Sequence, residues 1–286
     1  MNKWILGARP RTLPAAIGPV VVGTALIRTT HHSINWLNAA MALVVSLFLQ
    51  IGVNFSNDYS DGVRGTDGDR VGPTRLVASG LASPRSVKNA AIITYGLAAL
   101  IGLELSYRTS LWLILVGAIA IISAWGYTGG KNPYGYRGFG ELSVFIFFGL
   151  AATIGSYFVQ SEKVTWSSIA LAIPMGCLSC AILSINNLRD RPKDEVAGKM
   201  TIAVRVGDQR ARYILIALLI TAHIFGASLT WLTPWALITL ALLPLSLLIS
   251  REVLTEVSGA GLIPLLGKIA RLQMLFSLCL ALALSF

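Results

Sequence analysis

Charged residues are scarce in this chain of 286 residues, making up 13% of it, whereas an ordinary soluble domain carries about 25%. Hydrophobic residues reach 55%, and the mean hydropathy is +0.69. This balance excludes a soluble globular protein and is typical of a protein that crosses a membrane many times. The length suits one helical bundle, so we expect residues 1–286 to form a single transmembrane domain.

Cysteine and histidine are also few, with three residues of each type. Cys177 and Cys180 form a C-x-x-C pair, but a zinc site would need a second pair of ligands nearby, and the sequence offers none. The histidines do not cluster with acidic residues. We therefore expect the cysteines to pack in the apolar interior, where free thiols are common.

Long apolar runs dominate the chain in place of charge. Nine of them have roughly the 17–25 residues that a helix needs to cross a bilayer. They cover residues 12–28, 37–56, 89–106, 111–127, 141–159, 167–187, 213–230, 233–250 and 268–286. The first run follows basic residues, as in a signal peptide, but the segments after it are also apolar, so we expect it to remain as a spanning helix. The sequence thus predicts an all-α membrane protein with nine transmembrane helices.

Lysine and arginine, 23 in all, divide unevenly between the two sides of this predicted bundle. All but Arg28, Arg108 and Lys163 lie on one side. That side comprises the N-terminus and the segments 57–88, 128–140, 188–212 and 251–271. The positive-inside rule places it in the cytoplasm, and nine spans then leave the C-terminus on the outer side of the membrane. The expected membrane is the cell membrane, either inner or plasma. Because the net charge of +10 reflects this asymmetry, it does not indicate a nucleic-acid partner.

Acidic residues are few, and the first group of them ends an apolar run. The stretch 54-NFSNDYSDGVRGTD-67 follows the second run and contains Asp58, Asp61 and Asp67. Asn54, Asp58 and Asp61 are spaced i, i+4 and i+7, which predicts one shared helix face.

A second group, 186-NNLRDRPKDEVAGK-199, ends the sixth run on the same predicted side. Its opening 186-NNLRD-190 matches 57-NDYSD-61 in the first group. Asn187, Asp190 and Asp194 are spaced i, i+3 and i+7. Pro192 lies inside this set and leaves open whether Asp194 continues the helix or sits on the following turn.

Carboxylates at membrane depth cost about 2.5–3.5 kcal/mol each on insertion scales, so such residues usually face a cavity and have a partner. Oxygen donors of Asp and Asn suit Mg²⁺, which commonly bridges to substrate phosphates. Nearby cations would meet the remaining phosphate charge. These cations are Arg64, Arg75, Lys131, Arg189 and Lys199. The alternative is a set of solvated acids paired with loop arginines, but two matched groups at one membrane face favour the metal.

The segment 126-GYTGGKNPYGYRGFGE-141 is rich in glycine and aromatic residues. Glycine lets the backbone approach a ligand closely, and aromatic faces suit a flat ring or a developing cation. Lys131 and Arg137 are candidates for binding a carboxylate, and Tyr127 for facing the ring. The alternative is a flexible turn with interfacial tyrosines.

With these motifs the chain resembles the UbiA superfamily of intramembrane prenyltransferases, which carry two Asp-rich motifs at the cytoplasmic ends of helices 2 and 6. Within it, the sequence is most similar to the branch that acts on 1,4-dihydroxy-2-naphthoate. The matching stretches are 9-RPRTLP-14, 57-NDYSDGVRGTD-67, 75-RLVASG-80, 127-YTGG-130, 136-YRGFGE-141 and 186-NNLRDRPKDEVAGK-199. Gly65 and Asn187 stand where the common motifs of the superfamily have Asp, and both departures are similar to the naphthoate branch.

The resemblance implies nine helices in a ring around a central cavity, capped by the cytoplasmic loops 57–88, 128–140 and 188–212. It implies transfer of a polyprenyl group from polyprenyl diphosphate to 1,4-dihydroxy-2-naphthoate, with loss of CO₂, to give demethylmenaquinol in menaquinone biosynthesis. The alternatives are another aromatic acceptor such as 4-hydroxybenzoate, or a membrane transporter coupled to a cation.

The resemblance also implies roles for individual residues. The expected Mg²⁺ ligands are Asp58, Asp61, Asp67, Asp190 and Asp194. The expected catalytic residues are Asp58, Asp61, Asp190, Asp194 and Lys131. The expected substrate-binding residues are Asn54, Asn57, Arg64, Arg75, Tyr127, Arg137, Asn186, Asn187 and Lys199.

Overall fold

The computed structural model describes residues 2–30, 32–66, 72, 74–255 and 257–286. Helices make up nearly all of the regular structure in these residues, and no strand occurs among them. Within a bilayer no water is available to bind peptide groups, and a helix satisfies them within its own segment. The prediction of an all-α protein is confirmed for this part of the chain.

The α-helices follow one another with short connections. They are α1 (Lys3–Ala8), α2 (Pro14–Ala25), α3 (Trp36–Arg64), α4 (Pro84–Arg108), α5 (Trp112–Gly126), α6 (Gly140–Val144), α7 (Ala152–Ser161), α8 (Trp166–Val196), α9 (Ile202–Val206), α10 (Asp208–Ser228), α11 (Leu243–Leu254) and α12 (Ile263–Ala283). A π-helical stretch, Phe145–Ala151, joins α6 to α7. Segments of 3₁₀ helix cover Pro10–Thr12, Leu26–Thr30, Tyr134–Arg137, Leu229–Trp231, Pro234–Leu242 and Gly259–Leu262.

The number of spanning helices differs from the predicted nine. Within the described residues, seven helices are long and apolar enough to cross a membrane, and eight if the bent pair Lys3–Thr12 and Pro14–Thr30 is one span. The predicted span 111–127 forms α5, whose 15 residues extend roughly 22 Å, less than the roughly 30 Å of a hydrocarbon core. The glycine-rich segment that follows ends this helix early.

Helix α8 is the most buried of the spans that the structure describes. It packs against α2, α7, α10 and α12, and its apolar residues form the centre of the larger hydrophobic core. A Cβ atom on Gly149 would lie 2.6 Å from the Cα atom of Gly176, so the π-helical stretch packs backbone against backbone on α8. Pro192 does not end α8, because the helix continues to Val196, and Asp194 therefore belongs to it.

A second, smaller core joins the C-terminal part of α3 to the N-terminal part of α4. Phe55, Val87 and Tyr95 are buried there, and Leu76 packs among them from the connecting loop. The Tyr95 hydroxyl forms a hydrogen bond of 2.9 Å with the hydroxyl of Ser56. This core fixes part of the loop beside the first acidic group.

Candidate active site

A polar cavity of about 440 Å³ lies at the end of the bundle where α3 and α8 carry the two acidic groups. Its size falls within the roughly 300–1,000 Å³ of small-molecule sites. Basic side chains line it, namely Arg9, Arg11, Arg75, Arg189 and Lys199. Amide side chains line it as well, namely Gln50, Asn54, Asn57, Asn186 and Asn187. Such a surface is suited to a highly charged anion.

An apolar cavity of about 220 Å³ adjoins the polar one. It runs between α3, α4, α5 and α7, from Tyr127 at one end of α5 to Leu113 near the other. The two cavities share four wall residues, Val53, Tyr127, Val144 and Phe148. The paired cavities therefore match an amphiphile with an anionic head and a long apolar tail.

Asp61 is the carboxylate that lines the polar cavity among the described residues. One of its oxygens accepts a hydrogen bond of 2.9 Å from the Tyr136 hydroxyl, and the other lies 3.5 Å from Nη2 of Arg75. Burial, and next the charge of Asp61, raise the pKa of Tyr136 to about 12. Tyr136 therefore stays protonated near neutral pH, as its role as a donor requires.

Asp58 faces away from this cavity and is fully buried. Its two carboxylate oxygens accept the backbone N–H groups of Leu76 and Val77, at 2.8 and 3.1 Å. The predicted common face of Asn54, Asp58 and Asp61 is thus divided. Asn54, Asn57 and Asp61 line the cavity, because the spacings i, i+3 and i+7 also share a face, and Asp58 anchors the loop instead.

Asp190 lies one residue after Arg189 on α8 and pairs with it. Nε and Nη2 of Arg189 donate to the two carboxylate oxygens at 2.8 and 2.7 Å. Both side chains are at most 5% exposed. Arg189 also lines the polar cavity, so it brings the second acidic group to the cavity wall.

Asp194 lies on the next turn of α8, with Nζ of Lys199 at 3.8 Å from its carboxylate. The backbone oxygen of Asp194 accepts the N–H of Lys199 at 2.7 Å. Lys199 also lies over the ring of Tyr136, 5.3 Å from its centre. The two acidic groups are therefore linked through Tyr136, which contacts Asp61 on one side and Lys199 on the other.

The amides of the predicted site have defined partners. Asn54 donates to the backbone oxygen of Ala8 and to Thr12, at 2.9 and 3.3 Å, and thereby ties α3 to the bend after α1. Asn57 accepts from the Thr128 hydroxyl at 2.8 Å. Asn186 donates to the backbone oxygen of Ile182 one turn earlier, at 2.9 Å.

Tyr127 begins the glycine-rich loop and stands at the junction of the two cavities. Its ring packs edge to face on Tyr134, with centres 5.6 Å apart. Burial, and next the charge of Glu141, raise the pKa of Tyr127, so its hydroxyl stays protonated. The loop presents an uncharged aromatic wall to a ligand that crosses the junction.

Three cations of the predicted site lie elsewhere. Lys131 and Arg137 are exposed on the loop, and neither lines either cavity. Arg64 donates to the backbone oxygens of Thr128 and Gly130, so it holds the loop in place. Their predicted roles stay predictions, because the sequence did not give the direction in which each side chain points.

A compact metal-binding group does not occur among the described residues, since no three Asp, Glu, His or Cys side chains lie together. Asp67 falls outside the described residues. Asp61 and Asp190 are each paired with an arginine. The donors around the cavity are nevertheless carboxylate and amide oxygens, with neither thiolate nor imidazole among the described lining residues. This donor chemistry fits Mg²⁺.

Two further groups lie in the site without a predicted role. Arg9 and Arg11 line the polar cavity from the bend between α1 and α2, and Gln50 lines it one turn before Asn54. The sequence signal for the first two was the stretch 9-RPRTLP-14. The sequence signal for Gln50 was the presence of a polar glutamine within an apolar run.

Known proteins resemble this chain over almost its full length. Residues 16–272 match the model of the UbiA prenyltransferase family. The chain is 49% identical to the 1,4-dihydroxy-2-naphthoate octaprenyltransferase of Mycobacterium tuberculosis, over 99% of this chain and 97% of that one. It is 36% identical to the enzyme of the same description from Escherichia coli, over 99% and 95%.

Solved structures share the fold. The structure of a UbiA homolog from Archaeoglobus fulgidus bound to GPP and Mg²⁺ has a TM-score of 0.68 to this one at 17% identity. The alignment covers 98% of this chain and 99% of that chain. Together with the family match and the relatives above, these findings show that the chain belongs to the UbiA prenyltransferase family of integral membrane proteins.

Proposed function

We propose that this protein transfers a polyprenyl group from polyprenyl diphosphate to 1,4-dihydroxy-2-naphthoate, with Mg²⁺ as cofactor and demethylmenaquinol as product. The observation that carries the proposal is the pair of joined cavities, one basic and one apolar, which meet at Tyr127. The names of relatives at 49% and 36% identity support the choice of acceptor. The solved homolog bound to GPP and Mg²⁺ supports the choice of donor class and metal.

The diphosphate binds in the polar cavity, where arginines and a lysine surround its oxygens. Arg9 and Arg11 approach from the bend after α1, Arg75 from the loop after α3, and Arg189 and Lys199 from the end of α8. Arginine suits this task because its planar group can bind two oxygens at once. These cations stabilise the negative charge that grows on the leaving group as the bond to carbon breaks.

Asp61, Asp190 and Asp194 would hold Mg²⁺, with amide oxygens of the cavity completing the set. Asp58 and Asp67 were also predicted as ligands. In the described geometry Asp58 supports Leu76 and Val77. Bound Mg²⁺ would supply positive charge to the diphosphate oxygens as the leaving group departs.

The polyprenyl chain lies in the apolar cavity, so its reactive first carbon lies at the junction. The C–O bond to the diphosphate breaks, and a ring carbon of the naphthoate forms the new C–C bond. The carboxyl group on that ring carbon leaves as CO₂. Tyr127 offers the face of its ring to the cationic carbon, and the apolar walls of Val53, Val144 and Phe148 keep water away from it.

The site faces the cytoplasm, because the loops that surround it carry most of the lysine and arginine. The N-terminus lies on the same side. Although α5 is short, it runs the depth of the bundle: it follows α4, whose last residue is Arg108, and leads to Thr128, which contacts Asn57 at the site. If α5 and the bent pair each count as one crossing, the chain crosses the membrane an odd number of times. The C-terminus then lies outside.

The test is a product assay with purified protein in lipid nanodiscs. Radiolabelled polyprenyl diphosphate is incubated with 1,4-dihydroxy-2-naphthoate, 4-hydroxybenzoate or no acceptor, with Mg²⁺ or with EDTA. We expect labelled product and release of CO₂ only with the naphthoate and Mg²⁺. Product formed only with 4-hydroxybenzoate would show that the protein uses a different aromatic acceptor. The absence of product with every acceptor would overturn the proposal.

A further inference from the structure

Glu141, at the start of α6, is half-buried, and its carboxylate points inward without a cation among the described residues. Its Oε1 atom accepts a hydrogen bond of 3.0 Å from Nδ2 of Asn187 on α8. Its Oε2 atom is buried and has no hydrogen-bond partner among the described residues. No lysine or arginine of the described chain forms an ion pair with it. Since such burial is unfavourable, the carboxylate calls for an explanation.

The backbone holds Glu141 firmly in this position. The thiol of Cys180 on α8 donates to the backbone oxygen of Glu141, at 3.2 Å. A Cβ atom on the preceding Gly140 would lie 3.2 Å from the Tyr127 hydroxyl and 3.2 Å from Leu183, so the start of α6 fits closely between them. Glu141 is therefore fixed relative to α8 and to the junction of the two cavities.

The hydrogen bond decides how the amide of Asn187 is turned. A carboxylate offers only acceptors, so the nitrogen of the amide must face Glu141 and the oxygen must face the other way. Asn187 lines the polar cavity. Its oxygen is consequently presented to a ligand there as a hydrogen-bond acceptor.

An amide oxygen can bind a cation or a hydrogen-bond donor. The place of Asn187 beside the junction favours a donor on the organic substrate. A diphosphate offers oxygens that accept, whereas an aromatic acceptor with ring hydroxyls offers O–H groups that donate. Leu183 and Val144, one turn from Asn187 and from Glu141 respectively, also line the polar cavity. Val144 belongs to the junction, so the amide lies where the ring must meet the reactive carbon.

We propose that Glu141 is a positioning residue that orients Asn187 to bind a ring hydroxyl of the aromatic acceptor. The proposal rests on the proposed function for the identity of that acceptor. It also accounts for the asparagine at position 187. A carboxylate there would set two carboxylate oxygens about 3 Å apart in a buried site, where like charges repel strongly.

The first test compares Glu141→Ala with Glu141→Gln in the product assay. The alanine removes the partner of Asn187, so KM for the naphthoate should rise about 10- to 100-fold, as found for residues that orient ligands. KM for the prenyl diphosphate and the Mg²⁺ concentration for half-maximal activity should stay within about twofold. The glutamine retains an oxygen that accepts from Asn187, so Glu141→Gln should restore KM to near the unsubstituted value. Glu104→Ala is the matched control, because Glu104 is exposed and lines neither cavity.

The second test exchanges the carboxylate of Glu141 and the amide of Asn187 between the two positions. Asn187→Asp alone should raise KM for the naphthoate, because it faces Glu141 with a second carboxylate. The double variant Asn187→Asp with Glu141→Gln should recover at least about tenfold of that loss, since the glutamine nitrogen then donates to the aspartate. The yield and the thermal unfolding midpoint of each variant are measured. If Glu141→Ala does not fold, the comparison of Asn187→Asp with the double variant Asn187→Asp and Glu141→Gln tests the proposal.

The results separate the two proposals. An inactive unsubstituted protein would overturn the proposed function. An active protein whose naphthoate KM does not change in Glu141→Ala would overturn the positioning role. So would additive losses in the double variant, or a shift in the Mg²⁺ requirement in place of the naphthoate KM.

Discussion

At the scale of single residues, two of the aspartates of the first acidic group, Asp58 and Asp61, have different contacts although they are three positions apart. Asp61 faces the polar cavity and contacts Arg75 and Tyr136. Asp58 faces the loop and binds two backbone N–H groups. Substitutions that remove only the charge should therefore have different consequences at the two positions.

Asp58→Asn should lower the stability of the protein. The amide keeps one oxygen for a backbone N–H but sets its own NH₂ group against the second one, and an unsatisfied buried donor costs about 1–3 kcal/mol. We expect a lower thermal unfolding midpoint in nanodiscs and a loss of activity that follows from it. An unchanged midpoint together with a raised Mg²⁺ requirement would instead identify Asp58 as a metal ligand.

Asp61→Asn should leave the fold intact and suppress turnover. Its carboxylate is the proposed metal ligand in the cavity, and loss of several kcal/mol of charge stabilisation lowers kcat by about 100-fold or more, since 1.36 kcal/mol is tenfold. Asp208→Asn is a matched control, because Asp208 pairs with Arg212 outside both cavities. A kcat within tenfold of the unsubstituted protein would exclude Asp61 from the metal site.

Exposed cations of the loop should matter little compared with those of the cavity. Lys131→Ala and Arg137→Ala should each change both KM values by less than about threefold, because surface charges are weakly coupled to a buried ligand. Arg189→Ala and Lys199→Ala should raise KM for the prenyl diphosphate. If Arg137→Ala selectively raised KM for the naphthoate, the sequence-based role of Arg137 would be restored and the loop would have to close over the ligand.

At the scale of elements, the sequence predicted well whatever depends on local composition. Most of the apolar runs correspond to spans in the described residues, and the acids at the ends of two runs lie at the ends of α3 and α8 that border the polar cavity. The sequence could not show that Asp58 faces Leu76 and Val77, because that contact joins residues 18 positions apart through a loop. Nor could it reveal the role of Glu141, whose partner Asn187 is 46 positions away.

The apolar cavity should discriminate between prenyl donors by length. Gly117 on α5 and Gly155 on α7 line it, and a Cβ atom added at either position meets no atom within 4 Å. Gly117→Leu and Gly155→Leu should therefore project side chains into the space for the distal part of the tail. We expect kcat/KM to fall for long donors and to change little for a ten-carbon donor.

Folding defects are not expected in these variants, because leucine has a helix propensity close to that of alanine, whereas glycine is about 0.8–1.0 kcal/mol less favourable than alanine. Gly96→Leu is the matched control: Gly96 is equally open but exposed on α4 outside the cavity. Equal losses for short and long donors in the cavity variants would show that the tail takes another path.

At the scale of the whole molecule, chemistry and membrane location depend on each other. Under the proposed function, the anionic head of the donor binds the cations of the polar cavity and Mg²⁺, whereas its tail lies in the apolar cavity. Removal of Mg²⁺ with EDTA should therefore abolish turnover, and added Mg²⁺ should restore it where Na⁺ at equal ionic strength does not. Full activity in excess EDTA would contradict the metal proposal.

The side of the membrane on which the C-terminus lies depends on whether the 15-residue helix α5 crosses it. If α5 crosses the membrane, the bent pair, α5 and the remaining long helices make an odd number of crossings, and Phe286 lies on the side opposite to the site. If α5 did not cross, Thr128 would lie with Arg108 at the far end of the bundle, whereas it contacts Asn57 at the site. The charge asymmetry favours the crossing, because Arg108 precedes α5 and the basic loop 128–140 follows it. Bilayer thinning accommodates a helix of this length at modest cost.

Reporter fusions decide between these topologies. Alkaline phosphatase fused after Phe286 should be active in cells and green fluorescent protein at the same point should be dark, because the first folds only outside the cytoplasm and the second only inside. The reverse pattern is expected for fusions in the exposed part of the segment 128–140, which serves as the internal control. A fluorescent C-terminal fusion with an inactive phosphatase, together with a fluorescent fusion in 128–140, would contradict the five crossings expected from the long apolar helices that the structure describes between these two points.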